Sequence, residues 1–302
     1  TVTGLLSQLC SFLPPTGHNE IEKEGRLQRH HLLCLPEVLK KQAGFKYINY
    51  ITAVRKDFAH KDTLMASMGV DEIFGTDELA KFIKGEPLSW GYSDHQMIPF
   101  MWDLVEGKHK KIEKSFMTML STVDSHPPYT KAKDMVYYKD GKKVVLNTIH
   151  TTDHAFGEFW QKFKKSELVD DTIVIAVADH AIFPAAVTKD VFPDEVGKVN
   201  YYDENMFMMY IPDTVLPKEV TTYSSGIDFT PTILHILGIN TPNSFEGRSI
   251  FDDRSDYPNL LGMHELGLYI NQTSAAEKRL TSYNIPSEIN CTEKDFNNSS
   301  ST

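Results

Sequence analysis

At 302 residues the chain is long enough to bury a substantial core and sits near the upper size of one α/β domain, so a single large domain is expected rather than two small ones. Its 41% hydrophobic and 24% charged residues are those of an ordinary globular protein, which excludes a fibrous or disordered chain. The formal net charge of -10 argues against nucleic acid as a partner, because a phosphate backbone is met by clustered Lys and Arg.

Residues 1–13 place apolar side chains at helical spacing and run into Pro14-Pro15, which predicts a helix stopped by prolines. After a polar, His-rich loop, residues 35–42 read as a helix closed at Gly44, and the aromatic and β-branched residues 45–52 read as a strand. A short helix at 62–68 leads into residues 69–75. Beyond Trp90-Gly91, Ser93 or Asp94 caps a helix that runs to about residue 104. The basic stretch 108–114, interrupted by Glu113, reads as a solvated helix face.

Residues 116–123 alternate and are rich in β-formers, a strand that opens into Asp124-Ser125-His126-Pro127-Pro128. Apolar spacing over 146–165 predicts one long amphipathic helix. The clearest buried strand is 172–178, ending at Asp179-His180, and 206–211 is another. Asp228-Phe229-Thr230-Pro231 opens a helix, with an acidic cap and a first-turn proline, that closes at Gly238. Past residue 254 the chain turns polar, and an irregular, loosely packed extension is expected. No apolar run approaches the roughly 20 residues needed to cross a bilayer. The chain opens on Thr1 without an initiator Met, so a processed or partial product with an upstream portion is expected.

Strands alternating with helices imply a largely parallel sheet covered on both faces, with chemistry gathered beyond the carboxyl ends of the strands. His126 and Asp179-His180 both occupy such positions. A carboxylate and an imidazole just past a strand suit Zn²⁺ or Mn²⁺, although a turn Asp beside an ordinary His has the same sequence. His126 is suited to bind an anionic oxygen or protonate a leaving group, or it is a surface histidine. Thr1 opens the first helix, where free N–H groups favour an anion and a threonine alkoxide would be a nucleophile. An arbitrary chain start and an amine-activated N-terminal threonine are the rivals. His150 and Asp153 on the long helix, and Asp228 at a helix start, read as packing and capping residues.

Of the three cysteines, Cys10 and Cys34 flank the polar loop and are compatible with either a bridge or buried thiols, while Cys291 lies in a tail rich in Asn, Ser and Thr. Glycosylation acceptor sequons begin at Asn271, Asn290, Asn297 and Asn298, which suits a lumenal or extracellular glycoprotein.

Taken in order, the segment from Thr1 to Cys10, Cys34 to Lys40, Met68 to Glu72, Trp90-Gly91 with Asp94, Ser125 to Pro128, Asp179-His180, Ile227 to Leu234 and Gly247 to Phe251 resemble the alkaline phosphatase/sulfatase superfamily. Within it, the similarity is to the lipoteichoic acid synthase, phosphoglycerol transferase and phosphoethanolamine transferase branch. The resemblance implies a three-layer α/β/α sandwich with a mostly parallel central sheet over residues 1–253, followed by a polar extension over 254–302. It implies one divalent metal, Mn²⁺ or Zn²⁺, held by Thr1, Asp179 and His180, with Thr1 as the catalytic nucleophile and His126 as a substrate contact. The family's first acidic ligand would lie upstream of Thr1. In the segment where relatives hold the head group this chain offers Arg55, His60 and Lys61. Cys10 and Cys34 stand where extracytoplasmic members carry cysteines, which implies a disulfide. The absence of Cys-x-Pro-x-Arg around Thr1 disfavours sulfate ester hydrolysis.

The expected function is transfer or hydrolysis of a phosphoryl head group from a small molecule or lipid, in an extracellular or lumenal location or at the outer face of a membrane. Anchoring through upstream spans would suit that location. An inactive sulfatase-fold glycoprotein and a sulfuric ester hydrolase are the alternatives.

Overall fold

The computed structural model of the chain describes residues 2–12, 33–182, 186–192, 205–221, 224–241, 243–252, 259–263 and 269–272. In chain order its elements are α1 (Val2–Cys10), α2 (Leu35–Gln42), β1 (Tyr47–Thr52), α3 (Lys61–Ser67), β2 (Glu72–Phe74), α4 (Thr76–Leu79), α5 (Asp94–Val105), β3 (Phe116–Ser121), α6 (Val144–Phe163), β4 (Val174–Val177), α7 (Ala186–Lys189), β5 (Phe207–Tyr210), α8 (Phe229–Ile236), β6 (Asn259–Met263) and β7 (Tyr269–Gln272).

The strand β1 organises the molecule. It pairs in parallel with β2 on one side and β3 on the other, and all of it past Tyr47 is buried. A parallel strand covered on both faces has to be apolar along its length, and Ile48, Tyr50 and Ile51 meet that need. Asn49, polar and fully buried, donates from Nδ2 to Thr118 Oγ1 of β3 at 2.9 Å.

Alternation along β1 sends successive side chains into two layers. Ile48 and Tyr50 pack with Leu5, Leu6 and Leu9 of α1, Leu35, Val38 and Leu39 of α2, Leu64 and Met65 of α3, and Ile233 and Leu234 of α8. Ile51 faces the other way, against Phe74, Leu79 and the α5 residues Met97, Phe100 and Leu104. On that second face Ile98 and Trp102 of α5 also meet Ala155, Phe159 and Phe163 of α6. Each fully buried Leu, Ile or Phe stabilises the fold by roughly 1.5–3 kcal/mol. The result is the expected α/β/α sandwich, with β4 pairing antiparallel to β5.

Cys10, the last residue of α1, is bonded to Cys34, the residue ahead of α2, across a separation of 24 residues. Closing a loop of that length removes entropy from the unfolded chain worth about 3.5 kcal/mol.

Two expectations need correction. The basic stretch 108–114 is solvated but not helical, because α5 stops at Val105 and Gly107, at φ 77°, takes the left-handed position that ends helices. Its lysines pair instead with Asp103, Glu106, Glu72 and Asp171. Past residue 254 the backbone is not wholly irregular, since β6 and β7 form an antiparallel pair. The edge strand β2 and the helix α4 were not expected; at three and four residues they are too short for periodicity to register. Among the described residues no helix is long and apolar enough to cross a membrane.

Candidate functional site

Asp179 and His180 lie two and three residues beyond β4, where the chain bends. Gln8 Nε2 of α1 donates to the carbonyl of Ala178 at 2.8 Å. Gly4, in the first turns of α1, is packed so closely that a Cβ there would stand 2.2 Å from the Asp179 carbonyl oxygen. The helix is thus seated on the backbone of Asp179, and no side chain larger than hydrogen fits between them. His180 Nδ1 lies 2.7 Å from the Ala181 carbonyl, which can only accept, so Nδ1 carries the proton and Nε2 keeps its lone pair. That Nε2 stands 3.7 Å from Asp179 Oδ1. One ion at about 2 Å from each atom spans that gap, and the oxygen–nitrogen donor set suits Zn²⁺ or Mn²⁺.

The opposite wall begins after β1. Ala59 and His60 hold φ of 55° and 52°, a left-handed reversal that turns the chain into α3 and places Lys61 at its first position. Lys61 is 6% exposed. Burial pulls its pKa down, and the negative charge of Asp179 pulls it part of the way back, so the two groups sense each other. Lys61 Nζ also lies 5.6 Å from the centre of the Phe58 ring. Phe58 meets Trp90 edge to face at 5.4 Å, and Trp90 meets His126 at 5.1 Å. His126 Nδ1 lies 2.6 Å from the Pro127 carbonyl, so here too Nε2 is the nitrogen without the proton.

Trp90 reaches this position because Gly91 follows it. Gly91 has φ 99° and rests its bare α-carbon on the Ala53 carbonyl, where a Cβ would come within 1.8 Å. The same carbonyl accepts from Thr76 Oγ1 at 2.6 Å. Lys61 is therefore brought toward Asp179 and linked through two aromatic rings to His126. Arg55 and His60 are exposed, and the Arg55 guanidinium is engaged by both carboxylate oxygens of Asp57, at 3.1 and 2.8 Å.

A buried carboxylate pair fixes the loop ahead of His126. The Asp94 carboxylate accepts the N–H groups of Val123 at 2.7 Å and Asp124 at 3.2 Å and the hydroxyl of Thr152 at 2.5 Å. Asp124 accepts the N–H of Asp94 at 3.0 Å in return. Burial pushes both carboxyls up, and for Asp124 burial followed by the charge of Asp94 raises the pKa to about 7. The sequence offered Ser93 or Asp94 as the helix cap, Ser93 takes that position, and nothing in the sequence pointed to the pairing of Asp94 with Asp124.

Asp228 is structural, its carboxylate accepting the N–H groups of Ser225 and Arg248, both at 2.9 Å. His150 packs against the Tyr138 ring. Asn271 falls on β7. Thr1, Asn290, Asn297 and Asn298 lie outside the described residues.

A parallel α/β sheet with a carboxylate–imidazole pair past one strand, faced by a lysine and aromatic rings past another, defines a class of domain that gathers its polar groups at the carboxyl edge of the sheet. The chain belongs to the Sulfatase family, which it matches over residues 3–239. Phosphoglycerol transferase I of Salmonella typhi is 25% identical over 250 residues, covering 79% of this chain and 31% of the relative. The chain thus spans about a third of the length of that relative. Among solved structures, a protein of the alkaline phosphatase superfamily from Vibrio parahaemolyticus superposes with a TM-score of 0.71 at 23% identity, over 89% of this chain and 62% of that one. The lipoteichoic acid synthase LtaP from Listeria monocytogenes does so with 0.66 at 19%, over 90% and 70%. The fold is that of the alkaline phosphatase superfamily.

Proposed function

We propose that the chain is the catalytic part of a metal-dependent transferase or phosphodiesterase acting on a phosphoryl head group. The observation that carries this reading is the meeting of Asp179 Oδ1 and His180 Nε2 within 3.7 Å, against the first turns of α1 and within the field of Lys61. The name of the Salmonella relative, a phosphoglycerol transferase, supports a phosphoryl head group as the transferred unit.

Thr1, one residue ahead of α1, is the nucleophile in this proposal, and Thr1, Asp179 and His180 would hold the ion, with an acidic residue upstream completing the set. A bound Mn²⁺ or Zn²⁺ would supply a lowered pKa for the hydroxyl and counter-charge for the phosphoryl oxygens. The threonine oxygen would attack phosphorus as its hydroxyl proton passes to water, the bond from phosphorus to the leaving alkoxide would break, and His126, having taken a proton from water at Nε2, would give it to the departing oxygen. An acceptor hydroxyl or water would then attack phosphorus, giving its proton to His126 Nε2, while the bond from phosphorus to the threonine oxygen breaks and that oxygen regains a proton from water. Lys61 offsets phosphate charge, and Phe58 and Trp90 offer ring faces to the rest of the head group. Arg55 and His60 border this wall and would meet the substrate from its exposed rim. The Cys10–Cys34 disulfide and the sequons at Asn271, Asn290, Asn297 and Asn298 support an extracellular, lumenal or outer-face location.

Replacing Asp179 with Ala in the full-length protein is expected to lower kcat on a phosphodiester substrate by roughly a thousandfold or more, about 4 kcal/mol in barrier, with the circular dichroism spectrum kept. Full activity in that variant removes Asp179 from the mechanism. Aryl sulfate assayed alongside separates this reading from sulfuric ester hydrolysis.

A further inference from the structure

We infer that the outer face of α5 and α6 carries a second divalent-metal site, formed by His95, His154 and Glu158 and separate from the Asp179–His180 pair. His154 and Glu158 are four residues apart on α6 and so share a face of that helix. His95 comes from the first turn of α5. One ligand atom from each of the three lies within 4.8 Å of the other two.

The two imidazoles carry the argument. His95 Nε2 and His154 Nδ1 face each other at 3.2 Å, with the rings tilted by 33°. Two nitrogens at that distance share either one proton or one cation. In a tetrahedral zinc site with bonds of about 2.05 Å, two nitrogen ligands stand about 3.3 Å apart, so an ion enters this pair with almost no movement. Asp134 stands 3.6 Å from His95 Nδ1, and its charge favours the tautomer with hydrogen on Nδ1 and the lone pair of Nε2 turned toward His154. A carboxylate behind a metal-bound histidine is the usual way such a ring is oriented. Glu158 adds an oxygen, giving a nitrogen-rich set with room for water, which suits Zn²⁺, Ni²⁺ or Cu²⁺ above Mg²⁺ or Ca²⁺.

Bound there, the ion would tie the first turn of α5 to the middle of α6. That turn also holds Asp94, which accepts the backbone N–H groups just ahead of His126. The site thus sits next to the part of the framework that fixes the His126 loop.

The test is the number of Co²⁺ or Zn²⁺ ions bound per chain by the intact protein and by its His154→Gln and His154→Gln/Glu158→Gln variants, measured by equilibrium titration. Both altered residues are exposed, so the fold is expected to survive, and circular dichroism verifies it. Each variant should bind one ion fewer than the parent and lose the visible absorption of a four-coordinate Co²⁺. An unchanged number of ions in both variants overturns the site and leaves a pair of histidines sharing a proton. In an Asp179→Ala background one equivalent should remain, and no ion retained there would equally overturn it.

Discussion

The two walls of the candidate site are assembled by different means. The Asp179–His180 wall is held through its own backbone, with the Gly4 α-carbon against the Asp179 carbonyl and the Gln8 side-chain amide on the Ala178 carbonyl. The His126 wall is held by rings, in the succession Phe58, Trp90, His126, with Lys61 at its end. Groups that hold an ion need placement within tenths of an ångström, and main-chain packing gives that rigidity. Groups that recognise a head group can be side chains on connecting segments, which change without moving Asp179 and His180.

The largest test of this division uses the two glycines. Gly4→Ala drives a methyl into a carbonyl that cannot retreat, and a stability loss of about 1–3 kcal/mol with weaker metal binding is expected. Gly91→Ala combines a similar clash with an unfavourable φ, so a comparable loss is expected, but with raised KM and unaltered metal affinity. Calorimetric melting and metal titration on both variants decide it, and identical effects on metal affinity would show the walls to be one unit.

A smaller effect is expected from Lys61→Met. Removing the buried charge should raise KM for an anionic substrate by about tenfold, near 1.4 kcal/mol, without lowering the melting temperature, because a methionine of similar length is easier to bury. An unchanged KM would place the lysine outside substrate recognition.

A further effect concerns pH. The Asp124 carboxyl titrates near 7 in the folded chain, above the ordinary value of 3.8. The folded state therefore holds this proton more tightly than the unfolded state. The stability it contributes is full below about pH 4 and is lost as pH rises to about 7. Asp124→Asn keeps an acceptor for the Asp94 N–H and removes the ionisation, so urea unfolding at several pH values should give a shallower fall for the variant over that window. Equal slopes would exclude Asp124 as the source.

Much of the framework was legible because it is periodic. Strand signals over 45–52, 116–123, 172–178 and 206–211 contain β1, β3, β4 and β5, and the helix over 146–165 corresponds to α6, which begins two residues earlier. Ser93 stands at the N-cap of α5 as expected, although the bond that closes the turn comes from the Gln96 side chain, whose Oε1 accepts the Ser93 N–H at 3.2 Å. The position of Asp179-His180 just beyond a strand was legible from the buried run that precedes it. Trp90 as a bridge between Phe58 and His126 was not, nor was the Asp94–Asp124 pair, because both depend on segments that meet only after the sheet has formed. Arg55, His60 and Lys61 are alike in sequence as nearby cations, yet only Lys61 is buried; a left-handed reversal at Ala59 and His60 decides which one turns inward.

The carbonyl of Ala53 receives both Thr76 and the α-carbon of Gly91, and so fastens the whole excursion from β1 to α5 at a single peptide group. Because the acceptor belongs to the main chain, no substitution at position 53 can delete it. Exposed positions of that excursion, such as Arg55, Phe58 and His60, can therefore change while Thr76, Gly91 and the buried Leu64, Met65, Phe74 and Leu79 keep its mooring and packing intact, and a laboratory library confined to those exposed positions would alter the rim without unsettling how the domain is built.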